Sequence, residues 1–399
     1  MSLTLCSDDH KMLIRIALVI SFIQFTNALE YMVFNPIFLF MADDFSVPVS
    51  FSGYVSGMYT LGAVLSGIAA FYGVNRLNKK RFLFVNMALL GTLTLLTTFT
   101  THFNVLLVLR FCAGLVGGTT MGVGISILIN HAPAPLRGKM LATVIAAFSL
   151  ISIVGMPAIL FLCTHYGWHV ALWLIALLCL LALPLIVFII PQDAISGSLV
   201  SRLSLNADTL LFAGGNALVQ FSPMLIIPVL VPLMTQRMGV SPDTVPWLFF
   251  AAGIAGYLCT KLTGRLTVHL SALVLMTVST IAFVLSLLIP ALDYQNAPLF
   301  ILVFIGASYS RLVSSSAVTI QFPDDKQRAG FSSLQTAIMF LATTLAFFLS
   351  SWLVPVQGMS QNPKTLWVLC AVVAACAPVL VMIQQKKLAK RANLQSHSL

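Results

Sequence analysis

Apolar runs of roughly 20 residues recur along this chain, about twelve in all, separated by polar or Pro/Gly-rich breaks. About 20 apolar helical residues cross the hydrocarbon core of a bilayer, whereas a membrane β-strand needs only about ten, with alternating polarity. The runs cover residues 13–41, 51–74, 82–101, 104–130, 139–163, 169–190, 208–235, 245–266, 269–290, 298–321, 329–355 and 365–385. The pattern predicts an all-α protein with about 12 transmembrane helices in a lipid bilayer.

A soluble domain could not bury this much apolar surface. The chain is 59% hydrophobic and 8% charged, with a mean hydropathy of +0.99. The first run is too long for a cleavable signal peptide, and Gln24, Asn27 and Glu30 make it too polar. Most of the seven cysteines lie inside apolar runs, at spacings that fit no zinc or haem motif. We therefore expect neither a metal nor a cofactor.

The basic residues lie almost entirely on one side of the predicted membrane. The breaks on that side carry 17 of the 21 lysines and arginines, and those on the other side carry only Arg237 and Lys364. The positive-inside rule assigns the basic side to the cytoplasm. The sequence therefore predicts a multi-pass protein of the inner (plasma) membrane with both termini cytoplasmic. Topology also explains the net charge of +10, so no nucleic-acid partner is expected.

The chain repeats itself with a period of about 190 residues, because Arg76 recurs as Arg265 and Arg137 recurs as Arg328. This period predicts two pseudo-symmetric six-helix halves, 1–190 and 208–399, joined by a cytoplasmic linker at 191–207. Parallel repeats of this size are typical of transporters. The absence of a soluble domain from the repeat argues against a receptor or a membrane-anchored enzyme, and we expect a monomer with no enzymatic activity.

Glu30, the only glutamate in the chain, lies in the first run. At a helical rise of about 1.5 Å per residue, it is about 22 Å from Arg15 and about 20 Å from Asp43. It should therefore lie near the middle of the bilayer, where an ionisable group costs about 3 kcal/mol or more unless it faces a polar cavity. Glu30 is thus predicted to carry a transported proton.

Further polar residues lie at helical spacing beside Glu30 or within later spans. Those predicted to line a substrate cavity are Gln24, Asn27, Tyr31 and Asn35 in the first span, and Asn216 and Gln220 in the seventh. The alternative is that such side chains only bond a neighbouring helix.

Two arginines lie within spans. Arg110 precedes glycines at 114, 118 and 122, which line one helical face. It is either a cavity charge partnered with Glu30 or a residue that extends to the outer interface. Arg311, with Tyr309 beside it, lies about 20 Å and 18 Å from the two ends of its span. It either receives an acidic group of the substrate or has a structural role, bonding carbonyls or pairing with Glu30.

Several local motifs resemble those of the major facilitator superfamily, and most closely its twelve-helix drug/proton antiporter branch, which includes sugar and drug efflux proteins. Leu109-Arg110 with Gly114 is similar to the fourth-helix arginine motif, and Gly155-Met156-Pro157 is similar to the fifth-helix antiporter motif. Asn27-Ala28-Leu29-Glu30-Tyr31 resembles a first-helix stretch with a protonatable acid. The loop containing Asn75 and Arg76 resembles the gating loop, but asparagine replaces its aspartate.

The resemblance implies a secondary transporter that works by alternating access. Glu30 and Arg110 would couple protons, and Asn75, Arg76, Gly155 and Pro157 would belong to gating motifs. Proton-driven efflux of a small organic solute is favoured, with an amphiphilic, anionic or zwitterionic solute if Arg311 binds it. The alternatives are an importer, a lipid or siderophore transporter of the same fold, or a membrane sensor or assembly partner that transports nothing.

Overall fold

The computed structural model describes residues 7–73, 78–133, 136, 140, 143, 144, 147, 149–192, 206–323, 328–354 and 362–396. Within these residues the secondary structure is helical throughout. The helices are α1 (Ser7–Met41), α2 (Ser52–Gly73), α3 (Lys79–Thr97), α4 (Phe103–Gly117), α5 (Thr120–His131), α6 (Met156–Tyr166), α7 (Trp168–Ile189), α8 (Ala207–Ile226), α9 (Val245–Leu266), α10 (Ala272–Ala291), α11 (Ala297–Thr319), α12 (Arg328–Leu353) and α13 (Lys364–Ser396).

Ten helical stretches within the described residues are long and apolar enough to cross a membrane. They are Lys11–Met41, Lys79–Thr97, Phe103–Leu128, Trp168–Ile189, Ala207–Arg237, Pro242–Leu266, Ala272–Ala291, Ala297–Thr319, Gly330–Leu353 and Lys364–Arg391. Two further predicted spans correspond to α2 and to a segment that ends in the apolar stretch Ile151–Tyr166. The predicted all-α membrane fold is confirmed.

The seventh predicted span is helical but irregular. After α8 it passes through a 3₁₀ turn at Ile227–Val229 and a π-helical turn at Leu233–Arg237. Pro228 and Pro232 lie within this segment, and a proline lacks the N–H that the α-helical hydrogen bond requires. Departures from α-helical geometry are therefore expected here.

The described chain forms two compact units. Unit 1 comprises Met1–Ser46 and Met58–Ser198, and unit 2 comprises Val47–Gly57 and Leu199–Leu399. The first turns of α2 thus group with unit 2, where Ser52 Oγ donates to the carbonyl of Pro228 at 2.6 Å. Residues 193–205 of the predicted linker lie outside the described residues, and the predicted domain boundaries stay a prediction.

In unit 1, α2 and α4 approach each other closely through glycine. A Cβ atom at Gly114 would overlap the backbone carbonyl of Tyr59, and one at Gly62 would overlap that of Phe111. Small residues that let helix backbones approach are a common way to pack membrane helices, because lipid provides no hydrophobic driving force. Of the glycine face predicted from residues 114, 118 and 122, Gly114 and Gly118 lie at a helix contact, whereas a Cβ atom at Gly122 meets open space.

Replacing Gly114 by Ala is expected to destabilise the folded protein by about 3 kcal/mol, because the atom in the way belongs to the backbone and cannot rotate aside. Gly122→Ala is the matched control, because a Cβ atom there meets open space. The measurement is the melting temperature of the purified protein, taken as the temperature at which half of the protein is no longer monodisperse after heating. Equal melting temperatures for the two variants would contradict the close α2–α4 contact.

Unit 2 has a buried aromatic cluster. The Phe212 and Phe322 rings stack at a centroid distance of 4.3 Å, and Phe331 lies 5.8 Å from Phe322. Arg391 of α13 donates to the Phe322 carbonyl at 3.0 Å and lies over its ring. The last turns of α13 are thus fixed to the connection between α11 and α12.

Candidate functional site

Glu30 lies in the middle of α1 and is fully buried. Its Oε1 atom forms an ion pair with Nη1 of Arg110 in α4 and accepts a hydrogen bond from Thr94 Oγ1 of α3 at 3.4 Å. Among the described residues, no hydrogen-bond donor faces Oε2. Oε1 therefore accepts from both Arg110 and Thr94, and Oε2 has neither contact.

Arg110 is 1% exposed, and aromatic rings lie against its guanidinium group. Its Cζ atom lies 3.7 Å from the centroid of the Phe34 ring and 4.8 Å from that of the Tyr59 ring. Tyr59 in turn stacks on Tyr31 at 5.1 Å. Within the described residues, Nε and Nη2 of Arg110 have no hydrogen-bond partner. The structure thus brings together Glu30, Arg110 and Tyr31, three of the residues predicted to be functional.

The other polar residues of α1 are buried within unit 1. Gln24 donates to the Thr120 carbonyl and Asn27 to the Gly117 carbonyl, each at 3.2 Å. The last carbonyls of a helix lack intrahelical partners, and α4 ends at Gly117, so Asn27 satisfies one of them. Asn35 is 3% exposed, and Tyr31 is partly buried. Gln24 and Asn27 therefore bond neighbouring helices, and a role in lining a cavity stays a prediction for all four residues.

Arg311 of α11 is fully buried in unit 2 and bonded through all three nitrogens. Nε donates to Thr280 Oγ1 at 3.3 Å, Nη1 to Ser222 Oγ at 2.8 Å, and Nη2 to the Ala374 carbonyl at 3.2 Å. Its guanidinium carbon lies 4.6 Å from the Phe283 ring centroid. Among the residues the structure describes, no carboxylate pairs with Arg311. These contacts come from α8, α10 and α13, all within unit 2.

The remaining predicted residues of unit 2 also contact neighbouring helices. Asn216 donates to Ser316 and Gln220 to Thr343, each at 3.0 Å. The Tyr309 ring lies against Gly256 of α9, where a Cβ atom would come within 2.7 Å of it. These bonds tie α8 to α11 and α12. A substrate-binding role for Asn216, Gln220, Tyr309 and Arg311 stays a prediction.

Of the predicted gating residues, Asn75 and Arg76 lie outside the described residues. Gly155 ends a π-helical turn at Ile151–Gly155, and Pro157 lies in the first turn of α6. A Cβ atom at Gly155 would come within 3.0 Å of Leu29 Cδ1, so this motif packs directly on α1 next to Glu30.

Sequence reasoning missed the partners of the buried charges. In unit 1 they are Thr94, which donates to Glu30, and Phe34 and Tyr59, whose rings lie against Arg110. In unit 2 they are Ser222, Thr280 and Phe283 around Arg311. Threonine, serine and phenylalanine are common in membrane helices, so none of them stands out singly. The repeat offered one signal, because Thr94 and Thr280 both lie on the third predicted span of their half.

Comparison with known proteins identifies the family. The family model of the Major Facilitator Superfamily matches residues 20–203 and 212–397. The uncharacterized MFS-type transporter YtbD of Bacillus subtilis is 22% identical over 275 residues, which is 67% of this chain and 69% of that protein. The chloramphenicol resistance protein of Streptomyces lividans is 25% identical over 228 residues, which is 55% of this chain and 58% of that protein.

A solved structure shows the same fold. A bacterial homologue of the human lysosomal transporter Spinster, in an inward-facing and occupied conformation, superposes with a TM-score of 0.75 over 93% of this chain and 96% of that one. The sequence identity is only 14%, so this likeness establishes the fold alone. The superfamily predicted from the motifs is confirmed, whereas the antiporter branch stays a prediction. The chain belongs to the major facilitator superfamily and is a multi-pass inner-membrane transporter of that family.

Proposed function

We propose that the protein exports a small organic solute in exchange for protons, with Glu30 as the proton carrier and Arg110 as its charge partner. One observation carries the proposal: the only glutamate of the chain is fully buried in a membrane helix and paired with an arginine that is itself buried. Ionisable groups at such depth are expensive and are typically part of ion or proton pathways.

The geometry suits proton binding and release. The Arg110 and Thr94 contacts both use Oε1, so a proton can bind Oε2 without displacing either donor. Protonation removes the negative charge of the pair, while the position of the side chain is maintained by its remaining hydrogen bonds. A pair of this kind changes its charge with little rearrangement, and coupling requires that the two charge states favour different conformations of the transporter.

Unit 2 supports a functional role for Glu30, because it holds a buried arginine that pairs with no carboxylate among the residues the structure describes. Hydroxyl groups, one carbonyl and one aromatic face are enough to accommodate Arg311. A buried arginine in this fold therefore does not require an acid for its stability. The carboxylate beside Arg110 is then available for another task, and reversible protonation is the task that its chemistry offers.

Export is favoured over import by two features. Gly155 and Pro157 resemble the antiporter motif, and Gly155 packs on Leu29 of α1, the residue before Glu30. One relative of the chain is a chloramphenicol resistance protein, and resistance is consistent with removal of a compound from the cell. An importer, a lipid or siderophore carrier and a non-transporting membrane partner are the alternatives.

The test uses purified protein in proteoliposomes that contain a fluorescent pH indicator. Solutes are added one at a time: chloramphenicol, a lipophilic cation such as ethidium, and an anionic amphiphile. A solute that is transported in exchange for protons changes the internal pH, and protein-free liposomes report passive leakage. Solute movement without a change in internal pH would overturn the proton coupling. Failure of a broad solute panel to move at all would favour the non-transporting alternative.

The topology of the proposal is testable separately. In a background with all seven cysteines replaced by serine, Asn78→Cys, at the N-terminus of α3, should resist a membrane-impermeant thiol reagent added to intact cells. Tyr294 lies in the connection between α10 and α11 and is 62% exposed, so Tyr294→Cys should react and serves as the control. Ready labelling of position 78 from outside would show that the N-terminus of α3 faces away from the cytoplasm, and the predicted orientation would be wrong.

A further inference from the structure

The guanidinium group of Arg110 lies close to two aromatic rings as well as to a carboxylate. Phe34 of α1 and Tyr59 of α2 both lie within about 6 Å of its carbon, the range of a cation–π interaction. Both rings are fully or almost fully buried, at 0% and 2% exposure. Desolvation strengthens this attraction. Arginine suits such a position because its planar charge is weakly hydrated and stacks on aromatic faces.

The Tyr59 ring is held in place by contacts that do not involve Glu30. Tyr59 stacks on Tyr31, and its backbone lies against Gly114, where any side chain would overlap it. A Cβ atom at Gly117 would overlap the Tyr59 hydroxyl in the same way. The glycines of α4 therefore leave the space that the Tyr59 ring fills beside Arg110.

We propose that Phe34 and Tyr59 are positioning residues that keep Arg110 in place while Glu30 is neutral. This inference rests on the proposed function, in which Glu30 passes through a protonated state. In that state Arg110 loses its negative partner, and its Nε and Nη2 atoms have no hydrogen-bond acceptor among the described residues. The ring faces then provide the main electrostatic attraction that remains. Arg311 also lies beside an aromatic ring and, within the described part of the chain, pairs with no acid, but its three nitrogens are all hydrogen-bonded, so the rings matter more at Arg110 than at Arg311.

The inference predicts that the contribution of the rings depends on the charge of Glu30. The titratable groups that interact electrostatically with Glu30 are Arg110 of α4, Tyr59 of α2 and Cys179 of α7, and Tyr31 follows it on α1. Thr94, from α3, is not titratable. The tyrosines and the cysteine are ordinarily neutral from pH 5 to pH 8. If the contribution of the rings to the stability of the protein changes between pH 5 and pH 8, the change would therefore reflect protonation of the Glu30 carboxyl group.

The test is a double-mutant cycle on melting temperature in the purified full-length protein. Tyr59→Leu removes the ring face, and Glu30→Gln removes the negative charge. Losses that are independent of Glu30, such as the stack on Tyr31, cancel in the cycle. Tyr59→Leu should lower the melting temperature by about 2–4 °C more in the Glu30→Gln protein than in the Glu30 protein at pH 8. Tyr59→Phe, which keeps the ring, should show no such excess, and Phe34→Leu provides a second cycle if Tyr59→Leu does not fold.

The pH dependence separates this inference from the proposed function. With Glu30 present, the loss caused by Tyr59→Leu should grow as the pH falls from 8 to 5, because the neutral carboxyl makes Arg110 rely on the rings. With Glu30→Gln it should be constant. Additive losses in both cycles would overturn the positioning role. Tyr59→Leu could instead cost more melting temperature in the Glu30→Gln protein while its cost in the Glu30 protein stays the same from pH 8 to pH 5. That result would support the positioning role of the rings but would exclude Glu30 as the proton carrier.

Discussion

Glu30→Gln is expected to reduce gradient-driven export to the level of protein-free liposomes while leaving solute exchange across the membrane measurable. Glutamine is nearly isosteric with glutamate, and its amide oxygen can accept the hydrogen bonds from Thr94 and Arg110 that Oε1 now accepts. It cannot bind or release a proton. The measurement compares proton-driven accumulation with counterflow of the solute identified in the flux assay.

Asp293→Asn is the matched control for this acid-to-amide change. Asp293 pairs with Arg237 in unit 2, and its side chain is 66% exposed. This variant should keep gradient-driven export, because a carboxylate that is largely exposed to water contributes little through its ion pair. Undiminished uphill export by Glu30→Gln would remove Glu30 from the mechanism, whatever the behaviour of Asp293→Asn.

The second large effect is expected at Arg311. Arg311→Ala removes three hydrogen bonds and leaves a cavity, so we expect a loss of about 2–5 kcal/mol of stability and a low yield of folded protein. Arg311→Met should recover part of that stability, because it fills much of the volume and buries no charge. Arg311→Lys should recover little, since an ammonium group cannot reproduce the planar guanidinium fork.

This expectation favours the structural interpretation of Arg311 over a role as an anion site. Three of the five N–H donors of Arg311 are already bonded and its side chain is fully buried, so a solute carboxylate could reach the guanidinium group only if the surrounding helices moved apart. The discriminating measurement combines thermal stability with solute binding. If Arg311→Ala melts like the wild type but no longer binds an anionic solute, then Arg311 belongs to the binding site, and the three bonds to α8, α10 and α13 are incidental.

Hydropathy alone predicted the fold because lipid leaves few other choices for 20-residue apolar runs. The candidate site could be predicted only in part. The depth of Glu30 followed from its distance to charged ends, and the structure pairs it with Arg110. Which way a helix faces does not follow from its own sequence, so Gln24 and Asn27 could be assigned to one polar face but not to the carbonyls that they contact.

The partners of the buried charges were harder still to predict. Phe34, Tyr59 and Thr94 belong to three different helices, and their meeting at one point depends on rotation and crossing of those helices. Glycines at 114 and 117 set how closely α2 approaches α4. Their spacing could be seen in the sequence, but not the ring that fills the space beside them.

The break between α4 and α5 has a consequence for how the sequence can vary. The carbonyls of Val116, Gly117 and Thr120 accept hydrogen bonds from three amide side chains on two other helices, which are Asn86, Asn27 and Gln24 respectively. In lipid an unsatisfied carbonyl is expensive. Val116 and Gly117 lie at the end of α4, where the break leaves carbonyls without intrahelical partners, whereas Thr120 begins α5 and its carbonyl lies within that helix. Relatives in which the fourth span is a continuous helix should be free to lose the amides at positions 27 and 86 together, whereas those that keep the break should retain a donor at both positions.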